Sequence, residues 1–129
     1  MKLRVYHCGA TDQGFPLTVL IGPRGLACAW LKRTYNAEAK DLKDDVWCAG
    51  ANWFIDTEDG RHGFVWFEEF NWSPEKLGVL GHELFHLLMG TMKTVGIPWC
   101  DQTEESYAYD LQASITKVCR ELGQRRRKP

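Results

Sequence analysis

Hydrophobic and polar positions follow two different periods along this chain, and the shorter period predicts strands. Four stretches alternate apolar and polar residues, or run apolar with β-branched and aromatic side chains, as strands do. The strands are predicted at residues 3–8, 15–21, 51–57 and 61–68. Asp59-Gly60 lies between the last two, and Asp-Gly in that position is typical of a tight hairpin.

Three other stretches place apolar residues three or four positions apart, which is the period of an amphipathic helix. The helices are predicted at about 24–36, 74–94 and 103–122. Ser73 is a favourable N-cap for the second helix, because Pro74 and Glu75 suit its first turn. Gly96 and Gly123 are predicted to end the second and third helices.

The resulting order, β-β-α-β-β-α-α, favours an α+β domain with a small twisted sheet and about three helices. A length of 129 residues suffices for one hydrophobic core but not for two. We therefore expect a single domain over residues 1–123. Residues 124–129 form a basic tail, which we expect to be a solvated chain end.

Composition excludes several classes of function. The net charge is −1, so no overall positive potential attracts nucleic acid or acidic lipid. No stretch reaches the roughly 20 apolar residues of a membrane span, and no export signal is recognisable. Five scattered cysteines without a Cys-x-x-Cys pair favour free thiols over a disulfide framework or a cysteine zinc site. We expect a cytoplasmic protein that binds neither nucleic acid nor membrane.

The second predicted helix carries the strongest candidate for chemistry. His82 and His86 lie four positions apart, so both imidazoles project from one helix face towards a common point. Imidazole nitrogens converging in this way suit Zn²⁺. Glu83 is rotated about 100° from His82 and can flank the metal as a general base for water. Gly78 and Gly81 precede the motif, and we expect them to allow another backbone to approach closely.

A third ligand must come from elsewhere, and the best candidates open the third helix. Glu105 follows His86 after eighteen intervening residues, and Glu104 is its rival. Asp101 and Glu104 fit a capping box, which would occupy Glu104 and leave Glu105 for the metal. Against this, Glu104 shares a stripe with the apolar positions of that helix. Glu105 is the preferred ligand, and Glu104 stays the alternative.

The motif His82-Glu83-x-x-His86, followed by Glu105, resembles the gluzincins, the zinc metallopeptidases whose third ligand is a glutamate. The runs 81–86 and 105–109 also resemble small metallopeptidase-like proteins encoded by phages and prophages. The resemblance covers about residues 73–115. It implies zinc held by His82, His86 and Glu105, and action in the host cytoplasm if the chain is phage-encoded. It also implies that the strand before the metal helix, 61–68, is an edge strand bordering the cleft. This chain has no room for the second large domain that usually closes the gluzincin cleft.

The expected activity is hydrolysis of a peptide bond in a peptide or protein substrate, with Glu83 as the base. Tyr109 lies one turn after Glu105 and is the candidate oxyanion donor, and Asp110 is a candidate partner for a histidine ligand. His7 and His62 are not expected to bind metal. Two alternatives remain open: a catalytically weak or inactive module that binds a protein partner, and a regulatory peptidase that cleaves one repressor-like partner.

Overall fold

The computed structural model describes residues 2–36 and 50–127, with side chains up to residue 123. Its elements are β1 (Arg4–Ala10), β2 (Pro16–Ile21), α1 (Arg24–Tyr35), β3 (Ala51–Thr57), β4 (Gly60–Phe67), α2 (Pro74–Val95) and α3 (Glu104–Arg127). This order confirms the predicted α+β class and the sequence of elements. Cys48 and the side chains of the basic tail lie outside the described residues.

The four strands form one mixed sheet in the order β1-β2-β4-β3. The β1–β2 and β3–β4 pairs are antiparallel, and the central β2–β4 pair is parallel, with Val19 opposite Val65. The expectation that 61–68 is an edge strand is therefore wrong, because β4 has a neighbour on each side. Among the described strands, β1 and β3 are the edges, and β3 is the edge beside β4.

The hairpin between β3 and β4 is confirmed, with its loop one position earlier than the Asp-Gly pair indicates. Thr57 pairs with Gly60, so the two loop residues are Glu58 and Asp59. The Thr57 hydroxyl accepts a hydrogen bond from the backbone N–H of Asp59 and donates one to the carbonyl of Gly60. Gly60 begins the returning strand with φ +119°, a conformation that residues with a Cβ atom disfavour, so a glycine suits this position.

Helices cover both faces of the sheet. Because side chains alternate along a strand, β2 and β4 supply apolar residues to each face. The face under α2 and α3 holds one core cluster, which includes Val19, Ile21, Val65, Phe67, Leu80, Leu84, Leu87, Val118 and Leu122. The opposite face, under α1, holds a second, formed by Leu20, Ala27, Leu31, Ala51, Ile55, Phe64 and Trp66. The helix that carries the histidine motif thus packs on a largely apolar sheet face.

The ends of α2 agree with the capping signals of the sequence. The Ser73 hydroxyl accepts a hydrogen bond from the N–H of Lys76, and Gly96 closes the helix in the left-handed conformation. The close approach predicted at Gly78 and Gly81 is not found among the described residues, since none of them lies within 4 Å of a Cβ atom built at either glycine. The close contact in α2 is at Gly90, where a Cβ atom would lie 2.6 Å from the Phe54 ring.

Two expectations for α3 are wrong. The helix begins at Glu104, so Asp101 lies in the preceding turn and is not its N-cap. Thr103 organises this turn instead: its hydroxyl accepts the N–H of Cys100 and donates to the carbonyl of Pro98. The helix also continues through Gly123 to Arg127, because Gly lowers helix stability without blocking the backbone hydrogen bonds. Over residues 2–36 and 50–127, no helix is long and apolar enough to cross a membrane.

Candidate metal centre

The exposed side of α2 presents the two histidines of the motif. Leu80, Leu84 and Leu87 occupy the buried side, and the 3.6-residue period turns positions 82 and 86 outwards. The His82 and His86 rings lie with their centroids 4.7 Å apart and their planes at 76°. Their Nε2 atoms are 3.2 Å apart. The structure thus brings together the two residues that the sequence pairs as metal ligands.

This separation suits two ligands of one zinc ion. Two nitrogens that each lie 2.0–2.1 Å from a tetrahedral ion are about 3.3 Å apart. The Nε2 atoms of His82 and His86 meet that distance without rearrangement. A hydrogen bond across this distance needs an Nε2 proton on one of the two rings, and the tautomers decide which ring donates. Binding requires both Nε2 lone pairs, so both rings would then carry their protons on Nδ1.

Glu83 occupies a different environment from its histidine neighbours. Its side chain is 9% exposed, against 66% for His82. The carboxylate oxygen Oε2 accepts a hydrogen bond from the Asn52 side-chain amide at 2.5 Å. The other oxygen, Oε1, lies 3.9 Å from Nε2 of His82. A hydrogen bond to a charged group contributes about 1.5–3 kcal/mol, so Asn52 offsets much of the cost of burying this carboxylate.

The edge strand β3 forms the wall against which Glu83 rests. Asn52 and Phe54 point from β3 towards α2, because side chains two residues apart share a face. Gly50 lies just before the strand, and a Cβ there would meet the Val79 side chain at 2.8 Å and Cγ of Glu83 at 3.3 Å. The sequence motif does not reveal Gly50 or Asn52. The one hint in the sequence is that Asn52 is a polar residue within the otherwise apolar run 51–55.

The proposed third ligand lies on the outer side of the first turn of α3. Glu104 and Glu105 are both exposed. Within the described part of the chain, no three His, Cys, Asp or Glu side chains converge on one point suited to a metal. The structure therefore assembles His82, Glu83 and His86, and does not bring either glutamate of α3 to them. Glu105 as third ligand, with Glu104 as the alternative, stays a prediction.

The two tyrosines of α3 differ in burial: Tyr109 is exposed and Tyr107 is buried. Tyr109 is 62% exposed on the same outer face as Glu105, so its part as oxyanion donor also stays a prediction. Tyr107 is buried with Leu88 and Met92, and its hydroxyl donates to the carbonyl of Ile97 at 2.6 Å. Tyr107 is thus the tyrosine that fastens α3 to the end of α2.

Asp110 lies in the interior and away from the histidines. It is 2% exposed and lines a small space with Leu84, Leu87 and Thr91, on the buried side of α2. It accepts a hydrogen bond from the backbone of Asp12, and Oδ1 has no hydrogen-bond partner in the described part of the chain. Burial raises the pKa of the Asp110 carboxyl, and the charge of Asp12 adds to this effect. The structure does not place Asp110 as the partner of a histidine ligand.

Comparison with protein-family models, with curated proteins and with solved structures found no match to this chain. The geometry of α2 and β3 is therefore what supports a functional site here.

Proposed function

We propose that this chain is a zinc-dependent hydrolase of peptide bonds, with a metal centre on the exposed face of α2. The observation that supports it best is the arrangement of one helical turn. Two imidazole nitrogens lie 3.2 Å apart, and the anchored carboxylate of Glu83 lies 3.9 Å from one of them. Two neutral nitrogen donors beside a base that is not itself a ligand are the donor set of a hydrolytic zinc site.

Glu83 is the residue proposed to transfer the proton in this reaction. His82 and His86 would hold the zinc ion, which would supply the Lewis acidity that activates water and polarises the substrate carbonyl. Glu83 then accepts a proton from the attacking water and transfers it to the departing amine. Oε1 is the oxygen suited to this work, because Oε2 is engaged by Asn52.

The proposal assigns the third ligand to Glu105, or to Glu104 in its place, and the oxyanion donor to Tyr109. It therefore requires the side chain of one of these glutamates to turn towards the histidines when zinc binds, while Tyr107 holds the helix in place. Exposed side chains have rotamer freedom that such a movement uses. Such a ligand set would leave room for a water molecule on the metal, as catalytic zinc sites do.

We propose that the substrate is an extended peptide segment that lies along β3. Among the described strands β3 is the edge next to the motif helix, and Asn52 contacts Glu83 from it. An unpaired strand edge binds an extended chain through backbone hydrogen bonds. Unfolded or loop segments fit this mode. We place the activity in the cytoplasm, and in that of the host if a phage encodes the chain.

Metal content and cleavage test the proposal together. Protein purified without added metal is expected to carry about one zinc per chain by mass spectrometry. His86→Ala should lose it, whereas the control His7→Ala should keep it, because His7 on β1 contacts Thr18 instead. Labelled casein should be cleaved by the wild type and not by Glu83→Gln. A wild-type protein that contains no zinc after purification and does not bind added zinc would refute the proposal.

A binding module is the second candidate, and the exposed apolar surface near the motif favours it. Phe85 and Trp99 are 43% and 59% exposed. Met89, Ile97 and Pro98 line an apolar pocket beside them. Such a surface is typical of a protein contact. Tight zinc binding without cleavage, and a partner complex that survives Glu83→Gln, would favour this function. Cleavage of a single partner would favour the regulatory peptidase.

A further inference from the structure

The contact between Asn52 and Glu83 joins two elements that are remote in sequence. The residues are 31 positions apart, and the amide nitrogen lies 2.5 Å from Oε2. Glu83 needs a partner, because it is an acid on the buried side of α2, at the margin of a leucine-rich face. The amide nitrogen of Asn52 must face the carboxylate, since only that end of the side chain donates hydrogen bonds.

The space around Glu83 is shaped by a second residue on the same strand face. Gly50 lies two positions before Asn52, and a Cβ there would approach Cγ of Glu83 to 3.3 Å and Val79 to 2.8 Å. Any side chain at position 50 would push α2 and the Glu83 stem away from the strand. Gly50 thus admits the stem of Glu83, and Asn52 holds its end.

These contacts distinguish the two carboxylate oxygens. Oε2 is held against the edge strand, and Oε1 is left 3.9 Å from the nitrogen of His82. A carboxylate without the Asn52 contact could rotate and would present either oxygen, or neither, to the histidine pair. Fixing a reacting group in one geometry is a large source of rate, and misplacement by about 1 Å can cost about 100-fold.

We propose that Asn52 is a positioning residue that holds Glu83 with Oε1 towards the histidine pair. The catalytic meaning of this role depends on the hydrolysis proposed above. Asn52 contacts neither histidine nitrogen, and its effect passes through Glu83.

Kinetics with labelled casein test the role in the zinc-loaded protein. Asn52→Ala is expected to lower kcat about 10- to 100-fold, the usual effect of removing such a supporting contact. KM should stay within about two-fold, and zinc content should stay at the wild-type level. Asn52→Asp, which keeps the side-chain size but replaces the donor by an acceptor, should lower kcat at least as much. The control is Asn71→Ala, an exposed asparagine outside both β3 and α2, because Asn71 accepts a hydrogen bond from the Ser73 backbone and does not contact Glu83. It should leave kcat unchanged.

A second readout does not need activity. In the nuclear magnetic resonance spectrum of the metal-free protein, the side-chain amide signal of Asn52 should move in Glu83→Ala and stay in place in Asn71→Ala. If the signal moves but the wild type cleaves nothing, the proposed hydrolysis fails while the contact stands. If cleavage depends on Glu83 and Asn52→Ala keeps full kcat, the positioning role is refuted. Loss of zinc or of the folded state in both Asn52 variants would also refute it, in favour of a structural role.

Discussion

One helical turn of α2 contains three polar side chains in two environments. His82 and His86 lie in solvent, where a ligand can reach them, and Glu83 is buried against β3. The position of each follows from its angle round the helix relative to Leu84 and Leu87. Local spacing therefore predicts the pair of imidazoles and the neighbouring carboxylate. It cannot predict Asn52, because that contact depends on which strand lies beside α2.

The third ligand gives a test at the level of single residues. We expect Glu105→Ala to weaken zinc binding at least about 100-fold, more than removal of a supporting contact does. Glu104→Ala should change it little, because the two side chains lie on different faces of α3. Competition with a chelating dye measures both affinities. Equal zinc affinities in the wild type and Glu105→Ala would show that Glu105 is not a ligand. A loss of affinity in Glu104→Ala alone would show that Glu104 is the third ligand.

Asp110 gives a prediction about pH. Burial raises its pKa in the folded state, so the folded chain binds a proton that the unfolded chain releases. Stability from this group is complete below the unfolded value, near 3.8, and is lost as pH rises through the folded pKa. Asp110→Asn cannot ionise, so we expect it to be more stable than the wild type at pH 7. Thermal melts should show this advantage shrinking towards pH 4. A constant difference across that range would contradict the explanation.

At the level of elements, periodicity predicts the existence and order of strands and helices but not their neighbours. The apolar run 61–68 is equally compatible with an edge strand and with the central position that β4 occupies, since pairing with β2 is non-local. Local rules also assign the wrong N-cap to α3, because Asp101 and Glu104 match a capping box while Thr103 makes the observed contacts. Short-range rules cannot choose between two nearby polar residues when the choice depends on which side chain bonds to the backbone of the preceding loop.

The approach of α2 to β3 gives a prediction about glycine. Gly90→Ala is expected to lower the free energy of unfolding by about 1–3 kcal/mol, because the new methyl group meets Phe54. The Phe54 ring cannot move freely, since Arg61 and Phe15 pack against it. Gly78→Ala is the matched control in the same helix. Its methyl group enters open space, so it should raise the free energy of unfolding by up to about 1 kcal/mol. Urea denaturation compares the two, and stabilisation by both substitutions would show that α2 can shift away from β3.

For the whole molecule, the core is complete without the metal centre. The clusters on the two sheet faces include neither His82 nor His86. We therefore expect chelation to abolish cleavage while far-ultraviolet circular dichroism and a single cooperative melt are retained. Zinc at 100 times its dissociation constant should then add about 2.7 kcal/mol to the free energy of unfolding. His86→Ala should show no such gain, and unfolding of the wild type by chelator would contradict a purely functional site.

The parallel pair at the centre of the sheet has a consequence for how fast the chain folds. Each antiparallel hairpin joins strands that are close in sequence, whereas the indole of Trp66 on β4 donates to the carbonyl of Gly22, 44 positions away, where β2 ends. Closing so long a loop costs entropy before any contact repays it, so hairpins and helices should form early and merge in a slower step. Substitutions at the hairpin tip 58–59 and in the β2–β4 seam should therefore both slow refolding, because these contacts form before or during the slow step.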